Sequence, residues 1–227
     1  MIVDLENINK IYNQESIPVN VLNNVSLRVD KGDYIAIMGP SGSGKTTLMN
    51  IIGCLDVATT GKYLLDGEDV SKATDNRMSD IRNQKIGFVF QQFHLLPKLT
   101  AIENVALPLL YRDVSKAKRM AIAGEALEKV GLGDRKKFLP NQLSGGQCQR
   151  VAIARAMVGN PLLLLADEPT GALDTKAGEQ IMELFKKLND EGATIIMITH
   201  EPKIAECAKK IYHIRDGNLQ EELKWKK

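Results

Sequence analysis

The octapeptide Gly39-Pro40-Ser41-Gly42-Ser43-Gly44-Lys45-Thr46 constrains this chain more than any other stretch. It follows an apolar run, Tyr34-Ile35-Ala36-Ile37-Met38, that reads as a buried strand. It precedes Leu48-Met49-Asn50-Ile51-Ile52, whose apolar positions suit a buried helix. Strand, glycine loop and helix together make the pattern G-x-x-x-x-G-K-[ST] a phosphate site rather than a chance turn. The glycines let successive backbone N–H groups point inward at a positive helix N-terminus. Lys45 is placed to reach the β- and γ-phosphates, and the Thr46 hydroxyl to hold Mg²⁺.

A chain of 227 residues can bury a full core as one domain, or as a domain with a subdomain. Hydrophobic residues make up 44% and charged residues 26%, as in an ordinary soluble globule. The net charge of +2 is spread along the chain, so no nucleic-acid footprint is expected. Cys54, Cys148 and Cys207 lack metal-ligand spacing and read as reduced thiols. The longest aliphatic run, Leu162 to Ala166, is too short to cross a bilayer, and the first residues lack a signal-peptide pattern. The protein is therefore expected to stay where it is made and to reach a membrane only through a partner.

Alternation in Val3 to Glu6 and in Val25 to Val29 predicts half-buried strands, an antiparallel pair ahead of a parallel core. Asp66-Gly67 and Asp216-Gly217 each mark a hairpin. Between about residues 91 and 160 the pattern turns helical. Thr100-Ala101-Ile102-Glu103 fits a capping box, Pro108 should end or bend that helix, and Gly131 is placed as a C-terminal cap. Leu162–Ala166 and Thr194–Thr199 read as buried strands. The tail Glu221–Lys227 is charged and expected to be loosely held. The fold class is α/β: a mainly parallel phosphate-loop sheet, an N-terminal antiparallel β subdomain and an inserted α-helical subdomain.

In such sheets ligands bind beyond the carboxyl ends of the strands. The phosphate loop, Gln91, Asp167-Glu168 and His200 are all predicted at such ends. Asp167 can hold Mg²⁺ through water, and Glu168 can polarise the attacking water or accept its proton. The other reading of the acidic pair is a helix cap before Pro169-Thr170. His200 can donate to a γ-phosphate, and Gln91 can ligate Mg²⁺ or orient water, while His94 and His213 read as structural. Tyr12 is either a packed aromatic, which spacing alone favours, or a ring that stacks on adenine. A second motif, Leu143-Ser144-Gly145-Gly146-Gln147, places a serine cap at another anion-seeking helix end. One nucleotide seldom needs two such ends from one subunit. Two copies facing head to tail, with ATP between them, would use both.

Taken in order, Gly39 to Thr46, Gln91, Leu143 to Gln147, Leu165 to Glu168, Gly171-Ala172-Leu173-Asp174 and His200 resemble the motifs of the ATP-binding-cassette ATPases. The resemblance covers essentially the whole chain. It implies ATP and Mg²⁺ as ligands, with nucleotide contacts from Tyr12, now as the adenine-stacking ring, and from Gly39, Ser41, Gly42, Ser43, Gly44, Lys45, Thr46 and Thr47. It implies catalytic roles for Glu168, His200, Gln91 and Lys45, and metal contacts from Thr46, Gln91 and Asp167. Ser144, Gly145, Gly146, Gln147 and Asp174 would act on the nucleotide of the opposite copy. Residues 1–90 and 161–227 would form the ATP-binding core, and about 91–160 the helical subdomain.

The stretches Gly53–Asp56, Phe88–Pro97 and Glu103–Leu109 resemble the macrolide-exporter, lipoprotein-release and antimicrobial-peptide-resistance branch. That branch implies an ATP-dependent homodimer on the cytoplasmic face of the membrane, docked to a permease through a cytoplasmic coupling helix. Cys148 departs from the glutamine common in the family and puts local hydrogen bonding in that helix in question. The ATPase could drive transport, or instead signalling or control of cell-wall enzymes. A soluble cassette acting on DNA or ribosomes fits least, since the chain has no inserted coiled coil, second cassette or basic face.

Overall fold

The computed structural model describes residues 1–14 and 17–222, and the expectation for the tail beyond Glu222 lies outside the described residues. The chain divides into two compact units, residues 1–82 with 192–227, and residues 83–191.

In the first unit β1 (Val3–Gln14) and β2 (Ile17–Val29) form an antiparallel pair. After β3 (Tyr34–Met38) and α1 (Lys45–Ile52), β4 (Thr60–Leu65) pairs with the other edge of β1, and β5 (Glu68–Asp69) with β4. In β2 the alternation holds, with Leu22, Val25, Leu27 and Val29 buried and the residues between them more open. In β1 it fails, because Val3, Asp4 and Leu5 are all buried. The strand is central, flanked on both edges, and Asp4 is buried with its carboxylate accepting from Arg28 Nε at 3.2 Å. Asp66-Gly67 closes the β4–β5 hairpin with φ of 53° and 78°. Two positive values in succession are what a tight two-residue turn requires.

An eleven-residue helix, α2 (Asp75–Lys85), follows that the sequence pattern does not announce. It buries only Ile81, so no apolar stripe exists for periodicity to detect.

The second unit opens with β6 (Ile86–Phe90). Then come α3 (Ala101–Leu110), α4 (Lys116–Lys129) and α5 (Gly145–Met157), and after them β7 (Leu163–Asp167) and α6 (Thr175–Asp190). Strands β6 and β7 are parallel, with Phe90 opposite Asp167. The Thr100 box forms, its backbone N–H donating to Glu103 Oε2 at 2.8 Å. Pro108 does not end α3, which runs two residues further. Gly131, at φ 72°, closes α4 as expected: Leu132 N–H returns to Leu127 O at 2.8 Å and Gly131 N–H to Glu128 O at 2.9 Å.

The chain then re-enters the first unit as β8 (Ile195–Ile198), the short α7 (Pro202–Ala205), β9 (Lys210–Arg215) and β10 (Asn218–Glu221). There β3 is parallel to both β8 and β9, and the Asp216-Gly217 hairpin returns β10 antiparallel. The core strands β3 and β8 are apolar almost throughout, as strands covered on both faces must be.

Candidate functional site

The first unit carries the glycine loop at the carboxyl end of β3. Parallel to β3, β8 ends on the same side, where Thr199 N–H donates to Ile37 O at 3.2 Å and His200 follows, exposed. Gly44 stands before α1 at φ 103°, and a Cβ there would lie 2.9 Å from Val21 O. At Gly39 a Cβ would lie 2.3 Å from Ile214 O, so only glycine lets the loop pass this close to β9. Lys45 Nζ donates to the carbonyls of Gly39 and Pro40, each at 2.7 Å. This holds the ammonium across the mouth of its own loop. Ser43 Oγ is buried and has no hydrogen-bond partner. A buried hydroxyl is left in that state only where something else completes it, and a phosphate oxygen is suited to do so. Ser41, Gly42 and Thr46 are exposed. The loop thus fits the phosphates of a nucleotide.

Tyr12 lies in the same unit. Its hydroxyl donates to Asp56 Oδ2 at 2.6 Å. Lys10 Nζ donates to Asp56 Oδ1 at 2.6 Å and to Val57 O at 2.8 Å, and lies 4.6 Å from the centre of the Tyr12 ring. Partial burial pushes the Asp56 carboxyl up. The bonds from Lys10, Tyr12 and Val57 outweigh that and hold it below the usual carboxylate range.

In the second unit, Gln91 follows β6, and the Asp167-Glu168 pair stands at the carboxyl end of the parallel strand β7, with Asp167 its last residue. Glu168 adopts φ 44°, a left-handed conformation costly for a residue with a Cβ and typical of functional positions. A Cβ on Gly171 would lie 2.6 Å from Gln91 Nε2, so a side chain there would displace the amide of this glutamine. Ser144 caps α5: Gln147 N–H donates to Ser144 Oγ at 3.3 Å, and Ser144 N–H to Gln147 Oε1 at 2.9 Å. Ser144 and Gly145 are exposed, Gly146 and Gln147 half-buried, so the N-terminus of α5 is open to a ligand. Asp174 caps α6, accepting from Ala177 N–H at 2.9 Å. Cys148 leaves this turn intact, since its N–H donates to Ser144 O at 2.8 Å, and burial pushes its thiol up.

Sequence reasoning passed over Gln149. This residue is fully buried in α5, and its Nε2 donates to Phe90 O at 3.1 Å and to Pro169 O at 2.6 Å. One amide therefore ties together the backbone just before Gln91 and just after Glu168. Arg155, a turn and a half further along α5, donates to Phe93 O at 2.8 Å and to His94 O. A buried glutamine in a helix looks like an ordinary break in the apolar stripe, so no local signal exposes it. Gln149→Leu should lower turnover by about tenfold or more with nucleotide affinity retained, because it loosens positions and removes no ligand contact. Steady-state kinetics alongside equilibrium nucleotide binding would check this; equal losses in both would argue against it.

The family model for ABC transporters matches residues 22–171. This chain belongs to the ABC transporter family. The cassette is 55% identical over 217 residues to the uncharacterized ABC transporter ATP-binding protein YknY of Bacillus subtilis, covering 96% of this chain and 94% of that one. It is 50% identical to the macrolide export ATP-binding/permease protein MacB of Mannheimia succiniciproducens, covering 96% of this chain but 34% of that protein. Among solved structures, the dimeric cassette MJ0796 superposes with a TM-score of 0.88 at 46% identity, over 99% of this chain and 100% of that one. The same cassette bound to ADP and Pi after hydrolysis superposes at 0.89 and 45% identity. The ABC chain described here is thus an ATP-binding, ATP-hydrolysing cassette of α/β fold, with a parallel core and an antiparallel β sheet. Among the described residues no helix is long and apolar enough to cross a membrane.

Proposed function

We propose that two copies of this cassette close head to tail around Mg-ATP, and that hydrolysis reopens them to drive a separate membrane permease. The observation that carries the reading is the open, serine-capped N-terminus of α5. It is a second anion-seeking helix end in a chain whose Gly39–Thr46 loop already suits the phosphates. The dimeric state of the MJ0796 cassette supports it.

In this reading Lys45 and the loop N–H groups hold the β- and γ-phosphates, and Tyr12 stacks on adenine. Mg²⁺ would be held by Thr46, Gln91 and, through water, Asp167, whose oxygens suit a hard cation. The ion would neutralise charge on the phosphates. Glu168 accepts the proton of the attacking water, Gln91 orients it, and His200 donates to the γ-phosphate. Ser144, Gly145, Gly146, Gln147 and Asp174 face the nucleotide of the other copy.

The output is export, or extraction of a substrate from the membrane or its outer side, as the likeness to MacB suggests. The permease is expected to dock on the segment after Gln91. Buried Asn104 holds that segment through bonds to Leu96 N and O, Leu99 O and Thr100 O, while Leu96 itself is 48% exposed. A photo-crosslinker at Leu96, used in membranes of the native host, should capture a multi-spanning membrane protein. Capture of none from any position in 92–99 would overturn the docking assignment.

A further inference from the structure

A stacking ring helps only if it is already aimed when the base arrives, since ordering a free side chain on binding costs affinity. Tyr12 is not free. Its hydroxyl donates to Asp56, in the loop after α1, at 2.6 Å. Asp56 is itself held by Lys10, which is 8% exposed, and by Val57 N–H at 2.7 Å. The Lys10 ammonium lies over the ring, 4.6 Å from its centre, which further fixes it.

Asp56 N–H in turn donates to Asn50 O at 3.2 Å, which fastens it to α1, the helix that begins at Lys45 directly after the glycine loop. The tether therefore connects the ring to the helix that the glycine loop opens. We propose that Asp56, through the Tyr12 hydroxyl, presets the adenine platform at a fixed distance from the phosphate cradle, with Asp56 and Lys10 as positioning residues. This rests on the reading of Tyr12 as the adenine-stacking ring. It also gives a reason why that position holds tyrosine rather than phenylalanine: the hydroxyl, not only the ring, is used.

The test is equilibrium binding to the full chain, with ATP and inorganic tripolyphosphate as probes, for wild type, Tyr12→Phe, Asp56→Asn and Tyr12→Ala. Tripolyphosphate engages the cradle but has no base to stack. Tyr12→Phe should weaken ATP about fivefold and leave tripolyphosphate unchanged, and Asp56→Asn should move in the same direction. Tyr12→Ala should cost ATP about twentyfold. If Tyr12→Phe binds ATP as wild type does while Tyr12→Ala is weakened, the ring stacks but the tether is idle, and the proposal fails alone. If Tyr12→Ala also binds ATP normally, the stacking reading fails and the proposal with it. Equal weakening of both probes in Tyr12→Phe would mark a local folding defect and likewise overturn it. Should Asp56→Asn fail to fold, Tyr12→Phe decides the matter by itself.

Discussion

Glu168→Gln is expected to keep ATP affinity, lose about a thousandfold in turnover and hold the chain as an ATP-bound dimer. The substitution keeps the shape of the side chain and removes its capacity to take a proton. The residue stands one position past the end of β7, half-buried, at φ 44°. Glutamine should accept that conformation at similar cost, so the loop from Asp167 to Gly171 is preserved. In the proposed reading the phosphate contacts reside in the Gly39–Thr46 loop, which the change does not touch. With hydrolysis blocked, the nucleotide proposed to join the copies would never be consumed. Phosphate release and sedimentation at saturating Mg-ATP would check both halves. A strictly monomeric variant, or one with near-normal turnover, would contradict the roles assigned here.

What could be read in the sequence was what is decided locally. Both Asp-Gly hairpins, the Thr100 and Ser144 caps and the Gly131 stop depend on residues within a turn of one another, and all formed as expected. The strands that end in the glycine loop, Gln91, Asp167 and His200 were legible because each is a short apolar run that stops at a polar residue.

Three features were hidden for physical reasons. Helix α2 has almost no buried face, so its formation leaves no periodic trace. Burial of Asp4 depends on Arg28 from the neighbouring strand and on β1 being central, which alternation within β1 cannot reveal. The Tyr12–Asp56 bond spans 44 residues and the bonds of Gln149 span 59 and 20, so each becomes visible only once the chain is folded. For Tyr12 the resemblance to the ATP-binding cassettes supplied a role that spacing alone weighed against. The structure adds the partners that would make that role effective.

The second large effect is expected at Ser144. Aspartate caps a helix as well as serine does, so Ser144→Asp should leave α5, and with it the Gln149 and Arg155 ties, in place. Its carboxylate would nevertheless stand at an open helix end, where the account puts the γ-phosphate of the opposite copy, and like charges there oppose closure. Each chain should still bind ATP through its own glycine loop, while hydrolysis falls to near background. A neutral outcome would mean that the exposed end of α5 faces no phosphate.

The most direct measurement of ATP-mediated pairing is sedimentation velocity with saturating Mg-ATP, comparing Glu168→Gln with the double variant Glu168→Gln/Ser144→Asp. The account predicts a dimer for the first and an ATP-bound monomer for the second. A dimer that persists in the double variant would contradict it.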